Sequence, residues 1–295
     1  MNHLPRVAVL LAVYEPNDAL IAQLMSINKQ IGVEISLYIG DDGSSFDIRE
    51  IYKNYLPESY SYSTFERVGP GQNFMNLILR TGDEDFFAFC DQDDIWLKDK
   101  LIKHISLLVP ANGIAAGTHS NSAVLHGENI SLKKSRCNEH HLAQLLSENC
   151  VQGCTLVINK KARDLIRSKN TPSVIWHDWW IGLVLSSVGR LMFVPGTDTL
   201  YRIHSQNTIG LPGFRTQIRN FFFRPAGLLV KEHKLLFSTY SLEMRKNDVE
   251  DLKNWIKRWD RNFLGRIVSA ATDQRRRKSL AADLLRKLVG VLKKP

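Results

Sequence analysis

The sequence lacks the features that anchor a chain in a bilayer or staple a small secreted domain. The apolar run at residues 7–13 is far shorter than the about 20 residues that cross a membrane, and no signal-peptide cleavage site follows it. Cysteine is scarce, with neither metal-ligand spacing nor a disulfide framework. The four cysteines are Cys90, Cys137, Cys150 and Cys154. These absences favour a cytoplasmic protein with reduced thiols.

Glycine-rich phosphate loops are also missing. Neither GxGxxG nor GxxxxGK followed by Ser or Thr occurs, so a metal ion and basic side chains would have to neutralise any bound diphosphate. The basic side chains are distributed unevenly along the chain. Residues 211–295 hold 20 Lys and Arg against 8 Asp and Glu, a formal +12, whereas the first 210 residues hold 19 against 22, a formal −3.

The most informative stretch is FFAFCDQDDIW at residues 86–96. Its five leading apolar residues predict a strand buried on both faces, as in a parallel sheet covered by helices. Asp91, Asp93 and Asp94 follow, at the sheet edge where α/β proteins bind ligands. Because residues two apart in an extended chain point the same way, Asp91 and Asp93 are predicted to hold Mg²⁺ or Mn²⁺ together. The alternative is that Asp93 or Asp94 only caps the next helix.

Two earlier strands are predicted to end on polar residues in the same way. Residues 6–13 lead to Tyr14, and residues 35–39 run into Asp41 and Asp42. A helix follows each of them, so the two units predict half of a nucleotide-binding sheet. Tyr14 either stacks on a base or packs on the rim. A turn at residues 69–73 ends in Asn73 and leads into a further helix.

A tryptophan-rich segment, IWHDWWIGLVL, occupies residues 175–185. Asp178 stands at the predicted start of an apolar helix, where burial and the helix dipole shift carboxylate basicity in opposite directions. We interpret Asp178 as a general base, with aromatic side chains offering platforms for a sugar ring. The alternative is a capping carboxylate with the tryptophans in the core.

The strands of the second half are less sharply bounded. Residues 113–118 predict a weak strand before an irregular connection at 119–135, and residues 153–158 and 191–194 predict two more strands. A polar loop at 200–210 carries Arg202 and His204, which suit a diphosphate and a metal shell. Cys154 has no legible catalytic partner and is interpreted as a buried, inert thiol.

Together these motifs resemble the family 2 glycosyltransferases with a GT-A fold, most closely the bacterial rhamnosyltransferase-like branch. The resemblance extends over about residues 7–210. Its motifs are Tyr14, DDGSS at 41–45, Asn73-Phe74, DQDDIW at 91–96, GCT at 153–155, HDWW at 177–180, and Tyr201-Arg202 with His204 and Asn207.

The resemblance implies roles for residues on the donor side. Tyr14 and Asp41 would contact the nucleobase, with Asp42 or Asp91 on the ribose and Asn73 also in the nucleotide site. Asp93, with Asp91 and His204, would hold the Mg²⁺ or Mn²⁺ that bridges the diphosphate. Arg202 and His204 would come from a mobile loop that closes on the donor.

The resemblance also implies the reaction. Asp178 would be the catalytic base of an inverting transfer, and the acceptor would be bordered by Gly153, Cys154, Thr155, His177, Trp179 and Trp180. The donor suggested is dTDP-rhamnose, with a UDP-hexose as the alternative, and the acceptor a lipid-linked oligosaccharide of cell-surface polysaccharide or O-antigen synthesis. A metal-dependent nucleotidyltransferase and a non-catalytic sugar-nucleotide-binding protein remain alternatives.

The chain is therefore predicted to have two parts. Residues 1–210 form an α/β GT-A catalytic domain with a mixed, mostly parallel sheet, and residues 211–295 a basic amphipathic helical extension. Among the apolar residues of the extension are Leu252, Trp255, Ile256 and Trp259. Basic helices of this kind predict peripheral binding to the anionic inner face of the plasma membrane. Packing on the catalytic domain, oligomerisation and nucleic-acid binding are the alternatives, the last without a supporting motif.

Overall fold

The computed structural model describes residues 3–126, 129–132, 141–146, 149–169, 174–202 and 226–260. The chain divides into two compact units, one from Met1–His140 and Asn149–His204, the other from His141–Glu148 and Ser205–Pro295. His204, the predicted boundary at residue 210 and the basic residues beyond 260 lie outside the described ranges, so the expectations about them stay predictions.

The described part of the first unit contains a nine-stranded sheet flanked by helices. Its strands are β1 (Arg6–Val13), β2 (Glu34–Asp41), β3 (Tyr60–Thr64), β4 (Phe86–Asp91), β5 (Ile95–Trp96), β6 (Ala116–His126), β7 (Asn129–Leu132), β8 (Val157–Asn159) and β9 (Arg190–Arg202). Its helices, numbered in chain order, are α1 (Ala19–Asn28), α2 (Ile48–Tyr52), α3 (Pro70–Arg80), α4 (Lys100–Leu108), α6 (Lys160–Ser168) and α7 (His177–Val188). Short 3₁₀ helices occupy Val109–Ala111 and Gly153–Thr155.

The strand order is β3-β2-β1-β4-β8-β6-β9-β5, with β7 paired to β6. The pairs β1/β2, β2/β3, β1/β4 and β6/β9 are parallel, and the remaining pairs are antiparallel. This arrangement confirms the predicted mixed, mostly parallel α/β sheet.

The buried strands β1 and β4 form the centre of the sheet. Both are continuous apolar runs because helices cover both faces, and Leu10 of β1 lies beside Phe89 of β4. The parallel register also brings the strand ends together. Asp41 pairs with Val13, and Asp91 pairs with Ala12, so the two carboxylates flank the end of β1. Asp41 and Asp91 therefore lie together at the edge of the sheet that is predicted to bind the donor.

Three predicted boundaries in the second half are wrong. β6 continues to His126 instead of becoming irregular at residue 119, and β9 runs for 13 residues to Arg202, past residue 194 and into the first three residues of the segment predicted as a polar loop. Residues 153–155 form a 3₁₀ turn instead of the start of a strand. Hydrophobic periodicity missed β6 because the strand buries polar side chains, among them Thr118 and Ser122.

The cysteines also differ from the expectation. Cys90 and Cys154 are buried free thiols, but Cys150 is disulfide-bonded. Spacing along a sequence does not show which cysteines meet in space, which is why the prediction of four reduced thiols fails at Cys150. Cysteine content therefore no longer supports the cytoplasmic assignment.

The described part of the second unit is helical. It contains α5 (Leu142–Leu145), α8 (Ala226–Tyr240) and α9 (Lys246–Trp259). His233 of α8 stacks on Trp255 of α9 with 4.0 Å between ring centroids, and its Nε2 lies 3.1 Å from the Leu146 carbonyl oxygen. Trp255, Trp259 and Leu252 are buried, so the apolar face of α9 packs within the protein. Membrane binding of the extension stays a prediction. Among the described helices, none combines the length and apolarity needed to cross a bilayer.

Candidate active site

The ends of β1, β2 and β4 are tied to one another by side chains from their loops. The Tyr14 N–H donates to Gln92 Oε1 at 2.8 Å, and Gln92 Nε2 donates to the Tyr14 carbonyl at 3.1 Å. Glu15 accepts from the Ser45 N–H at 2.8 Å, and its own N–H donates to Ser44 Oγ at 3.0 Å. These hydrogen bonds hold the loops at this edge of the sheet in place, and we call this edge, formed by the loops after β1, β2 and β4, the rim.

Asp41 and Asp42 use their oxygens to build this rim. Asp41 accepts from the Ser44 N–H at 2.9 Å and Ser44 Oγ at 2.7 Å, and also from the Tyr62 hydroxyl. Asp42 accepts from the N–H groups of Val68 and Gly69 at 2.6 and 2.8 Å. Both oxygens of Asp42 therefore help to fold this loop, and the ribose contact of Asp42 stays a prediction. The nucleobase contact of Asp41 stays a prediction.

Tyr14 presents an accessible ring at the rim. Tyr14 is 39% exposed, the Arg67 guanidinium carbon lies 5.0 Å from the centroid of its ring, and Arg67 Nη2 donates to the Tyr14 hydroxyl. Arg67 has a positive φ of 48°, which fixes its loop in a conformation that few side chains adopt. Sequence analysis missed Arg67 because nothing in its sequence neighbourhood indicates that it meets Tyr14.

Asn73 is a structural residue of α3. It is 1% exposed, and its Nδ2 donates to the Gly40 carbonyl at 2.7 Å. The contact is so close that a Cβ on Gly40 would lie 2.0 Å from Asn73 Oδ1. The Asn73 side chain therefore holds α3 against β2 inside the core, and its nucleotide contact stays a prediction.

The carboxylates after β4 are arranged differently from the predicted extended tail. Gln92 and Asp93 form a turn, so the ligand atoms that gather within 4.8 Å of one another belong to Asp91, Asp94 and Cys154. Asp94 is fully buried; one oxygen accepts from the Arg202 N–H at 3.3 Å, and Oδ2 has no hydrogen-bond partner among the described residues. Arg202 Nε also donates to the Asp93 carbonyl at 3.2 Å.

This acidic cluster suits a hard divalent cation. Burial, followed by repulsion from neighbouring carboxylates, raises the pKa of Asp91 and Asp94 above the ordinary range. A cation would relieve that repulsion, and carboxylate oxygens are the ligands that Mg²⁺ and Mn²⁺ prefer. Burial also raises the pKa of the Cys154 thiol, so Cys154 stays protonated and contributes no hard ligand.

Asp178 stands at the start of α7 and belongs to the same site. Its carboxylate accepts from the Trp179 N–H at 2.7 Å and also from the Asn149 side chain and the Gly153 N–H. Burial raises the pKa of Asp178 to about 6, although these hydrogen bonds act in the opposite direction. The charge of Asp178 in turn helps to raise the pKa of Asp91. The structure therefore brings the predicted base to the predicted donor carboxylates.

The residues predicted to border an acceptor are mostly buried. His177 is 7% exposed and lies between Phe74 and Phe89, with ring centroids 4.0 and 5.2 Å away. Four more side chains are buried, those of Cys154, Thr155, Trp179 and Trp180. Gly153 is needed beside them, since a Cβ there would lie 2.8 Å from His177 Nε2. These buried side chains pack in the core, and the acceptor contacts predicted for them stay predictions.

Three features together define a GT-A nucleotide-sugar transferase domain. The sheet is mostly parallel with helices on its faces, an acidic cluster lies at its carboxyl edge, and a basic carboxylate lies nearby. Solved structures share this fold. The Staphylococcus aureus TarS 1–349 structure with UDP is similar at a TM-score of 0.56 and 15% identity, covering 86% of this chain and 82% of that one. The Pyrobaculum calidifontis mannosyltransferase PcManGT, solved with GDP-Man and Mn²⁺, has a TM-score of 0.57 at 16% identity, covering 100% and 82%.

The chain belongs to glycosyl transferase family 2, whose family model matches residues 8–166, and it is a glycosyltransferase. It is 29% identical over 208 residues to the dTDP-rhamnosyl transferase RfbG of Shigella flexneri, covering 64% of this chain and 69% of the relative. It is 26% identical over 180 residues to the Escherichia coli glucosyltransferase WfgD, covering 60% and 68%. The predicted family and enzyme class are confirmed, against the nucleotidyltransferase and non-catalytic alternatives.

Proposed function

We propose that this enzyme transfers one sugar, with inversion, from a nucleoside diphosphate to an acceptor hydroxyl. The observation that carries the proposal is the juxtaposition of Asp178 with the half-buried Asp91 and the buried Asp94 at one sheet edge. dTDP-rhamnose is the favoured donor, since the similar RfbG is a dTDP-rhamnosyl transferase. A UDP-hexose is the second candidate, because the similar WfgD is named for UDP-Glc.

The donor would lie along the rim. Tyr14, with Arg67 against its ring, offers a platform for the nucleobase, and Asp91 would contact the ribose. Mg²⁺ or Mn²⁺ would be held by Asp91 and Asp94 together with the neighbouring Asp93, with His204 as a further predicted ligand. When bound, the ion would neutralise negative charge on the diphosphate. Arg202, held against the backbone of Asp93, brings a guanidinium to the same place.

Asp178 would remove the proton from the acceptor hydroxyl. As the O–H bond breaks, that oxygen attacks the anomeric carbon, and the bond from this carbon to the diphosphate oxygen breaks. The nucleoside diphosphate leaves with the electron pair, and a single displacement inverts the anomeric configuration. With a pKa of about 6, Asp178 is a stronger base than an ordinary carboxylate yet is mostly ionised at pH 7. Turnover should therefore fall as the pH drops below about 6.

The acceptor we propose is a lipid-linked saccharide of cell-surface polysaccharide or O-antigen synthesis. The name of WfgD includes a diphosphoundecaprenol acceptor, and the formal charge of +12 on residues 211–295 suits an anionic membrane surface. Enzyme and acceptor would then meet at the inner face of the plasma membrane.

Calorimetry with dTDP-rhamnose and UDP-glucose, with and without Mn²⁺, tests the proposal. We expect metal-dependent donor binding that Asp93→Ala abolishes. Asp178→Asn should keep that binding while turnover falls by about 10²- to 10⁴-fold. Asp164→Asn, at an exposed carboxylate of α6, is the control and should behave as wild type. Preference for UDP-glucose would change the donor only, whereas metal-dependent binding to neither donor would overturn the proposal.

A further inference from the structure

A buried lysine lies directly beneath the acidic cluster. Lys100, the first residue of α4, is 0% exposed. Its ammonium nitrogen donates to the Cys154 carbonyl and to Thr199 Oγ1, both at 2.6 Å, and lies 4.7 Å from the centroid of the Trp96 ring. These contacts join α4, the 3₁₀ turn and β9 at one atom.

Asp198 balances the charge of this lysine. One carboxylate oxygen lies 3.5 Å from Lys100 Nζ and accepts from Ser120 Oγ at 2.8 Å, and the other is 2.9 Å from His104 Nε2. Burial tends to raise the pKa of Asp198, but the Lys100 charge and the His104 hydrogen bond outweigh it and lower the pKa. Burial also lowers the pKa of His104, so this neutral imidazole donates to an ionised carboxylate.

The Lys100 ammonium group lies closer to the 3₁₀ turn than to its counter-ion, Asp198. The contact with the Cys154 carbonyl is 0.9 Å shorter than the contact with Asp198. A buried ion pair contributes little net stability compared with apolar side chains of similar size. Its contact with the turn therefore indicates a role besides holding the core together.

The turn connects Lys100 to the proposed base. Cys154 is the middle residue of the 3₁₀ turn Gly153–Thr155, and Gly153 lies against Asp178: a Cβ at Gly153 would be 3.7 Å from Asp178 Cβ, and the Gly153 N–H favours the ionised form of the Asp178 carboxylate. Gly153 also packs against the His177 ring, so the turn has little freedom to move on that side. A shift of the Cys154 carbonyl would therefore move the Gly153 N–H away from Asp178.

We infer that Lys100 is a positioning residue for the transfer reaction: it holds the Cys154 carbonyl so that the Gly153 N–H orients Asp178 toward the acceptor hydroxyl. The inference rests on the proposed role of Asp178 as the base. It assigns to Lys100 an effect on turnover through its hydrogen bonds to the turn and β9. The Lys100 charge also favours the ionised forms of Asp91 and Asp94, so a test that isolates the turn must leave the net charge of the core unchanged.

The test removes the charge without stranding Asp198. Lys100→Met alone would leave a buried carboxylate without its cation and can unfold the protein. The double variant Lys100→Met with Asp198→Asn removes both charges, and the asparagine keeps an acceptor for His104. Lys103→Met is the matched control, because Lys103 is an exposed lysine of the same helix that pairs with Asp99. Thermal unfolding and circular dichroism verify that each variant is folded.

We expect the double variant to bind dTDP and Mn²⁺ within threefold of wild type while its kcat for donor turnover falls at least tenfold. Lys103→Met should match wild type in both. The decisive measurement adds Asp178→Asn to the double variant. If Lys100 acts through Asp178, the triple variant loses no more activity than Asp178→Asn alone.

Three outcomes would overturn the inference. One is wild-type kcat in the folded double variant, and another is an independent further loss in the triple variant. A loss of dTDP affinity equal to the loss of kcat would show a general structural role. The proposed function is separable from these results, because it is overturned by the absence of metal-dependent donor binding or by wild-type turnover in Asp178→Asn, and none of the three outcomes requires either.

Discussion

At the scale of single residues, His177 shows how burial of an imidazole ring changes its protonation. Its imidazole lies between Phe74 and Phe89, and its Nε2 has no hydrogen-bond partner among the described residues. Burial lowers the pKa of His177 to about 3, because a charged imidazole cannot be solvated between two phenyl rings. The neutral form is therefore the one that the fold requires.

This requirement predicts a loss of stability in acid. Between pH 6.5 and pH 3 the unfolded chain binds a proton at His177 that the folded chain does not, so stability falls as the pH drops through this range. From pH 7 to pH 5 the loss from His177 should be about 2 kcal/mol. Urea unfolding at both pH values measures it. His177→Leu should lack this part of the loss, whereas His3→Leu, at an exposed histidine, should retain it.

The prediction compares pH dependences, so a lower baseline stability of His177→Leu does not affect it. The raised pKa of Asp178 and Asp91 makes a contribution of the opposite sign, which is common to all three proteins and cancels. An unchanged pH dependence in His177→Leu would show that His177 is protonated in the folded state.

The sequence predicts which residue types form the site, but it does not predict the directions in which their side chains point. Asp91, Asp93 and Asp94 were expected at a strand end, and they lie there. The pairing of Asp91 with Asp94 was not predictable, since it depends on a turn that Gln92 stabilises by bonding to the distant Tyr14 backbone. Aromatic density around Asp178 likewise indicated an important segment but not that the rings face inward.

At the scale of elements, apolar continuity predicted the strands β1 and β4 and failed for β6 and β9 in the other half of the sheet. β1 and β4 are apolar runs with both faces covered. β6 and β9 instead bury a polar layer, and their register shifts between His119 and Ser122. A strand that buries polar side chains resembles a loop in sequence, because the partners that satisfy those side chains, as Lys100 does for Asp198, lie far away along the chain.

The contact between β2 and α3 gives an element-scale prediction. A Cβ on Gly40 would lie 2.0 Å from Asn73 Oδ1 and 3.1 Å from Leu77 Cδ1, so Gly40→Ala forces the helix away from the strand. We expect a loss of about 1–3 kcal/mol in the free energy of unfolding, measured with urea. Gly113→Ala is the matched control, because nothing lies within 4 Å of its Cβ position. Equal effects of the two substitutions would show that α3 adjusts freely.

At the scale of the whole molecule, charge is segregated along the chain. The first 210 residues carry a formal −3, and residues 211–295 carry +12. The described helix α9 buries its tryptophans, so the part of the extension left to bind a membrane is the basic remainder, including RRRK at residues 275–278. Anionic lipid attracts each nearby basic residue by about 1 kcal/mol.

Binding to phosphatidylglycerol-rich vesicles should therefore depend on where the charge lies. Replacing Arg275, Arg276, Arg277 and Lys278 with glutamine should weaken binding by about 10²-fold or more. Replacing the exposed Lys29, Lys53, Lys98 and Lys161 with glutamine changes the net charge equally and should leave binding nearly intact. Vesicle sedimentation at low and high salt measures both, with binding by wild type falling as salt screens the attraction. Equal losses would indicate nonspecific attraction, and no binding by wild type would favour packing or oligomerisation of the extension.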